Sequence, residues 1–157
     1  MSKLFAIILL NFAFSACTAT KTNSGEKNTI ASVQKSLDRH LSQWKKAGFD
    51  KYSYEFRRGC FCLPDYTKPV LIQVKNDTVT DARFKDNNKQ LTEALKGNRQ
   101  TINMLFKTIQ DAIDRKAHSI KVKYNEQYGY PASIVVDYDE RMADEELYLN
   151  AKDLKPL

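Results

Sequence analysis

The chain is poor in the residues that let a backbone close around a ligand. Only five of its 157 residues are glycine and four are proline. With so few glycines it holds no phosphate-cradling loop and no G-x-S-x-G nucleophile elbow. Histidine occurs twice, at His40 and His118, and cysteine three times, at Cys17, Cys60 and Cys62. Two imidazoles do not close a tetrahedral zinc site, and no spacing brings these two together. No serine, cysteine or histidine stands in a nucleophile pattern beside the carboxylates, so no catalytic residue, no metal site and no cofactor is assigned.

Long apolar runs are also missing, with one exception at the N-terminus. After Lys3, residues 4 to 14 are apolar apart from Asn11. That run is too short to span a bilayer as a stable helix, which favours a cleaved signal over an anchor. The next residues, Ser15-Ala16-Cys17, resemble the lipobox of bacterial lipoproteins, with Phe14 where leucine is usual. The expectation is a signal peptide over 1–16 and lipidation of Cys17. Residues 17–29 then form a polar, flexible tether with too few apolar side chains to offset its ordering entropy. Residues 30–157 form a single domain.

Charge of one sign is not gathered into runs. The formal net charge is +6, but lysine and arginine are scattered along the chain, while acidic residues cluster near 137–146. Scatter and export together argue against nucleic acid as a partner. The acidic stretch lacks the glycine and the alternate spacing of a calcium loop, and reads as a solvated turn.

What is present is periodicity. Residues 30–47 place Ile30, Val33, Leu37, Leu41 and Trp44 at steps of three and four behind Thr29, with Gly48 as a stop. The stretch YSYEFRRG alternates, and two strands flank Asn76-Asp77, a pair that tolerates hairpin turns. Residues 85–100 are a polar link with a helical turn near Leu91 and Leu95. A second amphipathic helix follows Thr101, with Ile102, Leu105, Phe106, Ile109 and Ile113 on one face. SIKVKYN, ASIVVDYD and EELYLNA then supply three more strands. The order is helix, three strands, helix, three strands, and the halves match at turn positions as an internal duplication would. The fold class is α+β, with two helices on one face of an antiparallel sheet.

Once Cys17 is consumed by lipid, Cys60 and Cys62 are the remaining thiols, in an oxidising compartment. In a regular strand their Cα atoms would lie ~6.6 Å apart, at the far end of what a disulfide spans. Gly59 and Pro64 let the chain curl, so a Cys60–Cys62 clip is expected, closed at some cost in strain. The same thiols support an alternative, a redox or copper-binding role, with Arg57 and Arg58 lowering a thiol pKa and two thiolates suiting monovalent copper. Tyrosines at turns offer anchors for a protein or peptide. Tyr66, Tyr128 and Tyr130, with Pro131, are the candidate partner contacts.

Three stretches in order, YSYEFRRGCFCLPDYTKPVLIQV, TINMLFKTIQDAI and KYNEQYGYPASIVVDYDERMADEELYLNAKDL, resemble the exported bacterial family known as domain of unknown function 6174. Cys60, Cys62, Tyr130 and Pro131 fall on its motif positions. The resemblance implies an exported α+β domain and transfers no activity. The expected function is therefore that of a lipid-anchored envelope protein. It would be held at the membrane through Cys17, face the periplasm or cell exterior, and bind another envelope protein or peptide without catalysis.

Overall fold

A computed structural model describes residues 29–142 and 144–157. The expected signal peptide, Cys17 and all but the last residue of the expected tether lie outside the described residues.

Helix α1 spans Ile30–Ala47. The Thr29 side chain accepts from the Ser32 amide at its start, and Gly48 ends it in the left-handed conformation, φ 63°. Such a cap answers one of the unpaired amides of a first turn. Strand β1 (Lys51–Gly59) leads into a single helical turn, α2 (Pro64–Thr67). The hairpin β2 (Val70–Lys75) and β3 (Thr78–Phe84) turns through Asn76 and Asp77, both at positive φ. A 3-10 helix (Glu93–Asn98) precedes α3 (Ile102–Asp114), which Thr101 caps by accepting from the Met104 amide. Strands β4 (Ser119–Tyr124), β5 (Pro131–Asp137) and β6 (Leu147–Pro156) complete the chain.

The strands form one six-stranded sheet in the order β3-β2-β1-β6-β5-β4, antiparallel at every step. The chain is thus α+β, as the periodicity implies; the 3-10 helix contains Leu95, where a helical turn is expected, and α2 is added to the expected order. Strand β1 is central, paired with β2 and β6, whereas β4 is an edge. The first strand of each half therefore occupies a different place in the sheet.

One face of the sheet is the core. Tyr52, Tyr54 and Phe56 alternate on β1, opposite Val74, Ile72 and Val70 of β2. Leu149 and Ala151 of β6 and Ile134 and Val136 of β5 extend the same buried layer. Helix α3 adds Ile102, Leu105, Phe106 and Ile109, and α1 adds Val33, Leu37 and Trp44, with Leu41 half-buried. Helices α1 and α3 touch each other and reach β4 and β5. Cover near β3 comes from the link instead, where Leu91 and Leu95 are buried and the Leu91 amide donates to the Ala82 carbonyl. The tyrosine hydroxyls of β1 bind the link to α3. Tyr54 donates to the Gln100 carbonyl at 2.6 Å, and Tyr52 accepts from the Ile102 amide at 3.0 Å. Burial pushes the Tyr52 hydroxyl up to about 12, the Ile102 amide opposing it.

Candidate functional site: the helix-free face and its disulfide tip

Antiparallel pairing sends alternate side chains to opposite faces, so the register fixes what the second face presents. Opposite Glu55 stand Leu71 of β2 and Lys152 of β6, and opposite Leu71 stands Arg83 of β3. Opposite Ser53 stand Gln73 and Lys155. Strand β5 contributes Ser133 and Val135, facing Lys123 and Lys121 of β4. The face is therefore basic. Lys51, Arg57, Lys75, Arg83, Lys121, Lys123, Lys152 and Lys155 lie on it, against Glu55, Asp81 and Asp137. These lysines and arginines are scattered in sequence because strand residues on one face are two apart. The fold collects them, so the expectation of a dispersed charge is corrected.

Glu55 is the structural centre of this face. It is 6% exposed although no helix among the described residues covers it. Its Oε2 accepts from Lys85 at 2.5 Å and its Oε1 lies 3.2 Å from Lys152 Nζ. Both lysines meet the carboxylate through their ammonium groups and stay half-exposed or more. Burial alone would raise the Glu55 pKa, but hydrogen bonds and charge from Lys85 and Lys152 outweigh it and hold the carboxyl below its usual range. Beside it, Asp81 takes Arg83 Nε at 2.8 Å. A shallow cavity of about 440 Å³ opens here between Ser53, Glu55, Gln73, Arg83 and Lys155.

At the end of β1 the chain leaves the sheet. Cys60 and Cys62 are joined by a disulfide, with Cα atoms 5.3 Å apart. Phe61 between them is 89% exposed and Leu63 72%. The base of this tip is anchored. Arg57 Nε donates to the Thr67 carbonyl, Tyr66 Oη to the Ala94 carbonyl, and Asn98 Nδ2 to the Tyr66 carbonyl. Tyr148, 43% exposed, stands opposite Gly59 on the helix-free face. On its other side the β5–β6 loop bears Asp139, Glu140, Asp144, Glu145 and Glu146. Arg141 is held there by both oxygens of Asp139, and Glu140 Oε2 lies 3.3 Å from His118 Nε2.

The tyrosines singled out in sequence have other duties. Tyr130 is 4% exposed and Pro131 is buried, so neither can be an exposed partner anchor. Tyr130 lies edge-on to Trp44, in an aromatic group with Phe49 and Tyr52. Gly129 explains their position. At φ +76° it brings the β4–β5 loop so close to α1 that a Cβ would stand 2.8 Å from the His40 carbonyl oxygen. Gln43 Nε2 then donates to the Glu126 carbonyl at 2.7 Å. The Tyr-Gly-Tyr-Pro run is a junction between sheet and helix. Tyr128 is half-buried against Phe49, and Tyr66 is half-buried under the tip. Tyr66 and Tyr128 also lie at opposite ends of the strands and form no common surface.

The histidines remain apart. His40 stacks on Tyr124 at 3.8 Å, with Nδ1 2.7 Å from the Ser36 carbonyl, which places its proton on Nδ1. Burial, with Arg39 adding to it, lowers its pKa against the Ser36 bond. Among the described residues no cluster of His, Cys, Asp and Glu could hold a metal ion, and no helix is long and apolar enough to cross a membrane.

Sequence reasoning missed the helix-free face because its signal lay in the pairing of strands. It could have been read from the alternation of Lys121 and Lys123 on β4, had the neighbours of β4 been known.

A family model described as a family of unknown function (DUF6174) matches residues 36–156, and the chain belongs to that family. No curated protein and no solved structure matches it.

Proposed function

We propose that this member of DUF6174 is a lipid-anchored protein of the bacterial cell envelope, tethered through Cys17, that binds another protein or peptide and catalyses no reaction. The observation that carries the binding reading is the bare sheet face. Helices α1 and α3 and the 85–100 link cover one side of the sheet, while the other side, among the described residues, exposes Leu71 and Tyr148 among basic residues. A face of this kind supplies apolar contact area ringed by charge, the usual make-up of a non-obligate interface. Two measurements test the two halves of the reading. Cys17→Ala should release the protein from membranes or leave an unprocessed precursor; normal processing with unchanged membrane fractionation refutes the anchor. Crosslinkers placed on the helix-free face should capture one recurrent partner in intact cells, and a spread of random neighbours refutes the binding role.

One observation favours a second reading, in thiol chemistry. The disulfide lies at an exposed tip, with Cys62 exposed and Arg57 and Arg58 close in sequence. An accessible disulfide near positive charge can exchange with an external thiol. A copper role would require both thiols reduced. Copper analysis of protein purified from the envelope decides that half, one equivalent supporting it and none removing it.

A further inference from the structure

We propose that the Cys60–Cys62 ring is a mount that presents Phe61 to an apolar pocket on a folded protein partner whose surface carries both signs of charge. This rests on the binding reading above and names the partner's chemistry. Phe61 is the most exposed of the large apolar side chains on the described surface, and Leu63 follows it. Two neighbouring apolar side chains exposed at one covalently closed tip form a patch of the kind that marks an interaction site. An aromatic held this way loses little conformational freedom on docking, which is what an interface anchor needs. The loop is fixed from below as well, through Tyr66 on the Ala94 carbonyl and Arg57 on the Thr67 carbonyl.

The surroundings of the tip decide between classes of partner. Tyr148 extends the apolar knob across Gly59. Beyond Tyr148 on the sheet lie Val135 and then Lys121, the start of the basic face. Preceding Tyr148 in the chain lie Glu145 and Glu146, the end of the acidic loop. The knob therefore stands between a basic patch and an acidic one. A bilayer surface or a nucleic acid offers one sign of charge and would be repelled by one patch while attracted by the other. A folded protein can match both, which also sets the orientation of docking. The bilayer is the competitor to beat, because α1 starts at this same end of the sheet. Val33 lies near Ile120, while Trp44 lies near Tyr52 at the far end, so a lipidated Cys17 upstream of Thr29 would bring the tip near a membrane.

The test uses the full-length protein in its own envelope, with a photo-reactive p-benzoylphenylalanine replacing Phe61, and in parallel replacing Tyr148 and Met104. Met104 is exposed on α3, away from the face. The expected result is one protein adduct of a single mass from Phe61 and Tyr148, absent from Met104. The yield should fall at least about tenfold when Lys121→Glu and Lys123→Glu are combined, since both would then repel an acidic patch. Yield should also fall with Cys60→Ser and Cys62→Ser together. An adduct from Tyr148 but not from Phe61 overturns the role of the tip and leaves the binding face standing; no protein adduct from either overturns both. An adduct indifferent to the charge reversal overturns the assignment of partner charge, and one indifferent to loss of the ring overturns the mount. For the bilayer, the lipidated Phe61→Trp protein is placed in phosphatidylglycerol vesicles with brominated acyl chains. Quenching of the introduced indole, beyond that of the parent containing Trp44 alone, would assign the tip to lipid and overturn the proposal.

Discussion

Gly59 lies directly beneath Tyr148, so that a Cβ added to the glycine would stand 3.0 Å from the tyrosine Cβ. This contact lets the Tyr148 ring lie across the end of β1, next to the disulfide tip. In Gly59→Ala the two carbons could not both keep their places, and overpacking of this kind costs about 1 kcal/mol or somewhat more. The expected outcome is a modest drop in melting temperature together with a shift of the Tyr148 ring resonances. Unchanged resonances would show that the ring does not rest on Gly59.

Trp44 joins the helix layer to the sheet through its aromatic neighbours and donates from Nε1 to Asn103 Oδ1 at 3.0 Å. Removing it leaves a cavity and an unpaired amide oxygen. Trp44→Ala is expected to cost about 3–5 kcal/mol, a large share of a single domain's stability. Chemical denaturation measures this directly, and an unchanged midpoint would mean that α1 is not docked.

The Glu55 carboxyl titrates below its unfolded value of 4.5, so the folded state binds fewer protons there than the unfolded one. Its contribution is therefore present above that value and is lost as pH falls through the folded pKa. Because Lys85 and Lys152 are half-exposed or more, the contribution is of surface size, about 1 kcal/mol. Glu55→Gln should be less stable than the parent at neutral pH, and the gap should close in acid. A gap that stays constant from neutral pH to well below 4 would refute the assignment.

The Cys60–Cys62 ring encloses very few residues and so constrains the unfolded chain little. A 15-residue loop is worth about 3 kcal/mol, and this one should contribute less. Cys60→Ser with Cys62→Ser should keep the fold and most of its melting temperature. Alkylation of the denatured, non-reduced protein should find neither thiol at 60 or 62 free. Two freely alkylated cysteines would remove the ring and favour the thiol or copper reading.

Much of the fold was legible in the order of residues. The boundaries of α1 follow from Thr29 and Gly48, and those of the β2–β3 hairpin from Asn76 and Asp77, because caps and turns are local chemistry read within a few residues. The core positions of α1 and α3 follow from a spacing that any helix must respect. Strand neighbours are different. Nothing local says that β1 pairs with β6 rather than with β4, and only that pairing sets Glu55 beside Lys152 and Gly59 beside Tyr148. The tyrosines show the same limit. A run such as Tyr128-Gly129-Tyr130-Pro131 looks the same in sequence whether it faces a partner or a helix, and the close approach of α1 makes it the latter. Periodicity determined which side chains share a face. The tertiary pairing alone decided which faces became neighbours, and so where a basic surface, an acidic loop and an exposed phenylalanine meet.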